Sequence, residues 1–253
     1  MDSTTRTRLS RIAHGHHPIA APLSDESVTA LLGQAIRTGH ERLLDLGCGE
    51  APWLLRALAA HPELTADGVD IDAASLDLAR HCAEQLGVAR RLGLHHRPAA
   101  EYTSPHRYDV VLCVGATHAF DGLLVALDTA RGHLAPGGRV LLGDGYWQQD
   151  PDQATLDGLG GATPDELDDL PTLVDKILTA GWVPVAGHQS SQSELDDYEW
   201  SWTGSLAEWA LDHPTDPDAP AAKQLADTHR TGWLRGYRGT FGFVTMVLRD
   251  QNG

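Results

Sequence analysis

Five short apolar runs recur between residues 43 and 143, separated by stretches whose apolar residues fall at helical spacing, and few folds accept that alternation. The runs are Arg42-Leu43-Leu44-Asp45-Leu46, Ala66 to Ile71, Leu92 to His96, Tyr108 to Val114 and Arg139 to Gly143. Between them, 52–60, 73–86 and 121–134 read as helices, with Leu76, Ala79, Ala83 and Leu86 along one face. Strands that alternate with helices predict βαβ units, hence a doubly wound α/β fold with a mostly parallel sheet. A chain of 253 residues suits one such domain with some elaboration.

The elaborations lie at the flanks. Ser24 precedes Asp25, Glu26 and an apolar face of Val28, Leu31, Leu32, Ala35 and Ile36, a capped helix opening a core over 24–188. The segment 1–23 ahead of it is rich in His and Arg. Pro136-Gly137-Gly138 makes a turn that ends helix 121–134. Thr163-Pro164-Asp165-Glu166 reads as a capping box with Pro at the first helical position, opening a helix to about Ala180. Trp182 to Gly187 is a sixth strand whose Pro184 favours an edge position, and Phe241 to Leu248 is the last strand, within 240–250. The intervening 189–239 is an insertion with helices over 193–212 and 219–236.

Acids outnumber bases to a net charge of −16, which argues against a broad grip on nucleic acid or an anionic membrane. No apolar run approaches membrane-spanning length, and the first 17 residues lack the apolar core of a signal peptide, so a cytoplasmic protein is expected. Cys48, Cys82 and Cys113 are too few and scattered for a disulfide framework or a zinc knuckle. Cys48 and Cys113 read as small packing residues rather than nucleophiles.

The most informative segment is Leu43-Leu44-Asp45-Leu46-Gly47-Cys48-Gly49-Glu50-Ala51-Pro52. A buried strand entering Gly-x-Gly and then a helix brings backbone N–H groups close to a nucleotide-like ligand at the carboxyl end of a sheet. The third glycine of a dinucleotide turn is absent, since position 52 is Pro. Asp45 would sit where a pyrophosphate sits, an unfavourable pairing, whereas its carboxylate suits a cationic group. Asp70, at the end of the second strand, is placed to accept hydrogen bonds from ribose hydroxyls. An amino group at Asp45 and a ribose at Asp70 describe S-adenosylmethionine better than NAD.

On LLDLGCGEAP, GVDID, YDVVLCVGATHAF and LAPGGRVLLGDGYW, the chain resembles the class I, seven-stranded, Rossmann-like S-adenosylmethionine-dependent methyltransferases over about residues 24–248. The resemblance implies a last strand that is antiparallel. It also implies that Asp45, Gly47 and Gly49 surround the methionine part, Asp70 holds the ribose and Ile71 packs on adenine, with Cys48 and Gly115 also among the cofactor-binding residues. Many members carry an acid after the third strand for the adenine amino group. Pro98 stands there in this chain, and the backbone of Ala99 or Ala100, or the Glu101 side chain, is the expected substitute.

In such folds the acceptor lies above the fourth and fifth strands, which implicates Gly115 to Phe120 and Asp144-Gly145-Tyr146-Trp147. His118 is the candidate to take or relay a proton, with a structural loop histidine as the alternative. Asp144 either accepts a proton, orients a cationic substrate or caps its loop. The run Arg11 to Pro18 resembles the lid segment of some bacterial small-molecule methyltransferases, with His14 and His17 as lid contacts. His14, His16 and His17 also admit a metal, or a plain solvated tail. In the insertion, Tyr198 and Trp200 are pocket candidates, while Trp202, Leu206, Trp209 and Ala210 form a stripe that would pack it onto the sheet.

The expectation is therefore methyl transfer from S-adenosylmethionine to a small-molecule acceptor, with no nucleic-acid or membrane partner and with a homodimer left open. The rival expectations are another reaction on the same bound cofactor, or a regulatory binding protein.

Overall fold

The computed structural model describes residues 3–15, 17 and 19–251. In chain order the elements are α1 (Ser3–His14), α2 (Asp25–Ala35), β1 (Arg42–Leu46), α3 (Pro52–Ala60), β2 (Thr65–Asp70), α4 (Ala73–Gln85) and β3 (Leu92–His96). They continue with β4 (Tyr108–Val114), α5 (Leu123–His133), β5 (Leu134–Trp147), α6 (Gln153–Gly158), α7 (Leu170–Thr179) and β6 (Trp182–Gln189). The chain ends through α8 (Gln192–Asp212), α9 (Ala219–Gly232), a π-helical turn at Trp233–Tyr237, and β7 (Phe241–Asp250). The strands form one seven-stranded sheet in the order β3-β2-β1-β4-β5-β7-β6. β1 to β5 pair in parallel, and β7 runs antiparallel to β6.

The residues divide into two compact units. One comprises Asp25–Asp144, Pro171–Gln189 and Val244–Gly253. Its centre is β1, flanked by β2 and β4, with Leu43, Leu44 and Leu46 wholly buried. Such two-sided burial of a nearly all-apolar strand is the habit of parallel sheets, and it makes Asp45 on the same strand conspicuous. α4 begins at an N-cap, with the Asp72 carboxylate accepting from the amides of Ala74 and Ser75. Pro184 lies on β6, the outermost strand, beside a register shift between Pro184 and Ala186, where a missing N–H is tolerated.

The other unit comprises Met1–Ser24, Gly145–Leu170 and Ser190–Phe243. α8 opens with a complete capping box between Ser191 and Glu194 and packs against α1 and α9. Leu206 is buried with Leu9 and Ala13 of α1 and Ala222 and Ala226 of α9. Trp202, Trp209 and Ala210 pack on this cluster, so the stripe expected to face the sheet joins the N-terminal helix to the insertion. α1 is further tied down where Arg8 pairs with Asp216 and Asp218 and lies 5.0 Å from the Trp209 ring centre.

Two boundaries differ from expectation. The helix expected from Pro164 starts at Leu170. Pro171 would have stood inside the longer helix, where it removes a hydrogen bond and clashes with the preceding turn; here it occupies the first turn. The expected cap survives in part as a local turn, with Thr163 N–H bonded to Glu166 at 2.9 Å. β5 extends from Leu134, through Pro136-Gly137-Gly138, to Trp147. The register with β4 shifts between Tyr108 and Val110, which lets the glycine turn sit within the strand rather than before it.

Candidate cofactor and acceptor sites

β1 ends at Leu46, and the chain reverses into α3 through residues that regular backbone cannot supply. Gly47, Gly49 and Ala51 have φ of 91°, 53° and 58°. At Gly47 a Cβ would lie 2.6 Å from the Ala116 Cβ, so position and conformation both demand glycine. Ala51 holds the left-handed conformation without that excuse, a local strain of the kind that clusters at ligand sites. The Val69 carbonyl takes the amides of Gly47 and Cys48 at 2.9 and 3.0 Å, which pins the turn to β2.

Asp70 closes β2 as expected and is half-buried. Its Oδ2 accepts the Gly49 amide and its Oδ1 the Asp72 amide, both at 2.8 Å. A carboxylate has about four acceptor positions, so two remain available. Asp45 is only 3% exposed and accepts no hydrogen bond among the described residues. Burial, and next the negative charge of Asp70, push its carboxyl up to about 8. Cys48 is buried beside both acids, and burial first, then Asp45 and Asp70, raises its thiol far from the thiolate range. Cys113 is likewise buried with a raised thiol, so neither has the character of a nucleophile.

Ile71 follows directly and leaves 69% of its surface exposed. Beyond β3, Ala99–Glu101 forms a short 3-10 turn in which Ala99 is buried and Ala100 exposed. The amides of Ala99 and Ala100 make no hydrogen bond among the described residues, as expected at the start of a helical turn. Gly115, at φ 69°, gives its amide to the Gly143 carbonyl. The following 3-10 turn, Thr117–Phe120, is held where the Thr117 hydroxyl donates to Asp144 at 3.0 Å. His118 stands on that turn, exposed, and its ring makes no hydrogen bond among the described residues.

The remaining candidates belong to the other unit. Tyr146 and Trp147 are buried, and Trp147 Nε1 donates to the Pro164 carbonyl at 2.9 Å. Gly242 has no room for a Cβ because the Tyr146 ring lies over it. His14 Nδ1 meets the Ser10 carbonyl at 2.7 Å, which fixes its proton there and makes Nε2 the acceptor of the Tyr198 hydroxyl at 2.9 Å. Burial, with lesser repulsion from His17 and His229, keeps His14 neutral to lower pH than an ordinary imidazole. His17 Nδ1 lies 2.6 Å from the Ile19 carbonyl, and its ring meets Tyr198 edge-on at 5.2 Å. His16, the third member of the histidine run, lies outside the described residues. Trp200 is 54% exposed and meets Trp233 edge-to-face at 5.0 Å.

One grouping escapes sequence reading. Glu199, 8% exposed, accepts from His229 Nε2 at 2.7 Å and from the Tyr237 hydroxyl at 2.8 Å, while Trp202 stacks on the His229 ring at 3.9 Å. The partners are 30 and 38 residues from Glu199, a separation no local spacing signals.

Residues 44–140 match the family described as a methyltransferase domain. The Escherichia coli (strain K12) protein YjhP, whose own role is unassigned, is 29% identical over 243 residues, covering 95% of this chain and 97% of that one. A crystal structure of an S-adenosylmethionine-dependent methyltransferase from Geobacter sulfurreducens in complex with S-adenosylhomocysteine superposes with a TM-score of 0.88 at 27% identity, covering 96% and 98%. The corresponding complex from Thiobacillus denitrificans gives 0.87 at 26% identity, covering 96% and 98%. Among the described residues, no helix is long and apolar enough to cross a membrane.

Proposed function

We propose that this chain is a class I S-adenosylmethionine-dependent methyltransferase and that it methylates a small-molecule acceptor; the methyltransferase-domain match and the two full-length structural relatives support the reading. The observation that carries the cofactor assignment to particular residues is Asp45: a buried carboxylate without a hydrogen-bond partner among the described residues, on the central strand, beside a turn whose Gly47 has no room for a side chain. A cationic amino group is the partner such a carboxylate lacks. Two acceptor positions on Asp70 suit a ribose and the exposed face of Ile71 suits a purine ring; where Pro98 displaces the usual acid, the exposed Glu101 carboxylate is the acceptor for the adenine amino group, and the amides of Ala99 and Ala100 are donors for a ring nitrogen. The left-handed turns at Gly47, Gly49 and Gly115, with Cys48 between the first two, support assigning their backbone to the cofactor. When bound, the cofactor supplies an electrophilic methyl group, and the protein contributes chiefly alignment.

Tyr146, Trp147, His17, Tyr198 and Trp200 are the residues we assign to the acceptor, since they combine apolar faces with polar tips. Asp144 positions the turn that carries His118. His118, exposed and unanchored, contacts the acceptor or relays its proton.

Calorimetric titration with S-adenosylmethionine, S-adenosylhomocysteine and NAD tests the cofactor assignment. Micromolar binding of the first two, absent for NAD and lost in Asp45→Asn, is the expected result; equal binding by Asp45→Asn overturns the assignment. Transfer of label from methyl-labelled cofactor to a product separates methylation from another reaction or from inert binding.

A further inference from the structure

Outside the residues assigned to the cofactor, Glu199, His229 and Tyr237 form a hydrogen-bonded trio in which Glu199 and Tyr237 are buried and His229 is half-buried. Glu199 is on α8, His229 on α9 and Tyr237 on the π-helical turn. Glu199, as a carboxylate, only accepts hydrogen bonds. His229 therefore carries its proton on Nε2 and the Tyr237 hydroxyl donates, its oxygen 3.1 Å from the same Nε2. Burial, then Glu199, raises the Tyr237 hydroxyl well above its usual range, so it remains a donor. Tyr198, raised by the same two causes, is spent on His14.

That accounting leaves one group unused. His229 Nδ1 makes no hydrogen bond among the described residues, while the side chain keeps 29% of its surface exposed. An imidazole held by a carboxylate at one nitrogen and open at the other is the arrangement of an oriented base: the carboxylate fixes the ring and stabilises the imidazolium once formed. Mere stitching of helices does not require an open nitrogen. Trp202, stacked on the imidazole, and Trp200, exposed beside Trp233, add aromatic faces on the same pair of helices.

We propose that Glu199, His229 and Tyr237 form an acceptor subsite for a weakly acidic hydroxyl on an aromatic ring, with His229 Nδ1 taking the hydroxyl proton. The O–H bond breaks, an N–H bond forms at Nδ1, and the neutral pair becomes phenolate and imidazolium. The imidazolium keeps its Nε2 proton on Glu199. This assignment rests on the methyltransferase reading only in calling the hydroxyl compound an acceptor; the proton transfer is testable by itself.

The test uses 4-nitrophenol, whose neutral and ionised forms absorb at different wavelengths. The probe is added to the full chain saturated with S-adenosylhomocysteine, at a pH where the free probe is mostly neutral. Bound probe should show phenolate absorption. His229→Gln should remove that band, and Glu199→Gln should lower the phenolate fraction about tenfold by taking a charged hydrogen bond from the imidazolium. Both variants are required to keep the wild-type melting temperature and S-adenosylhomocysteine affinity; should one misfold, His229→Asn and Glu199→Asp replace them. Absence of bound phenolate in the wild type, or a band that survives loss of His229, overturns the proposal. Failure of S-adenosylhomocysteine to bind overturns the methyltransferase reading instead, and the probe titration without it still judges the subsite.

Discussion

The two units present their chemistry in opposite ways. In the unit built on β1 to β4, the groups assigned to the cofactor come from a few strand ends, and much of the work falls to backbone: Gly47, Gly49 and Ala51 in left-handed conformations, with Asp70 binding two amides. In the other unit the polar groups are side chains from distant segments. His14, Tyr198, Glu199, His229 and Tyr237 meet because three helices pack around Leu206. A site made of backbone tolerates little change at its turns but much elsewhere. A site made of side chains on packed helices allows one residue to change without moving the rest.

The contrast can be broken most forcefully at Asp45 and Gly47. Asp45→Asn should weaken S-adenosylmethionine binding about a hundredfold, because it removes a buried charge-assisted contact; calorimetry measures it. Gly47→Val should cost about 3 kcal/mol or more in chemical denaturation, from a Cβ pressed on Ala116 and a β-branched residue at positive φ. By contrast, Trp200→Ala, at a half-exposed site, should cost only about 0.5–1.5 kcal/mol, from the lost edge-to-face contact with Trp233, and show itself chiefly in acceptor affinity.

Proton linkage gives a quieter test. Asp45 with its carboxyl near 8 is largely protonated at pH 7 without a ligand, so binding an ammonium group should expel a proton, seen as a buffer-dependent binding enthalpy that Asp45→Asn abolishes. Because the folded value lies above the ordinary one of about 4, this group favours folding below pH 4, and that contribution fades as pH rises through about 8. His14 has the opposite sign. Its proton affinity is lowered on folding, so its stabilising effect is full above about pH 6.5 and declines as pH falls below it. Melting curves of His14→Gln against wild type between pH 7 and 5 should converge. The smallest effect is expected at His118: His118→Ala should leave cofactor affinity and melting unchanged and lower turnover modestly, less than His229→Gln does.

Much of the first unit could be read from the chain. The apolar runs became β1 to β4 with few shifts; β1 and β4, buried along most of their length, must be apolar there, while β3 at the sheet edge is only half-buried. Asp45 and Asp70 could be named because acids at the ends of such strands contradict that requirement. The helix expected from the capping box at Thr163 to Glu166 would have held Pro171 in its interior, whereas Pro171 stands in the first turn of the observed α7. The stripe Trp202 to Ala210 was legible as a stripe, but its partners, Leu9 and Ala13, lie nearly 200 residues away.

Periodicity and glycine position, properties of neighbouring residues, thus determined the sheet, the turn after β1 and the two acids beside it. The environment of those acids, the pairing of α1 with α8 and α9, and the tautomer of His229 depend on groups remote in sequence. Burial and hydrogen-bond geometry arise only once the helices pack, so only the tertiary structure could decide them.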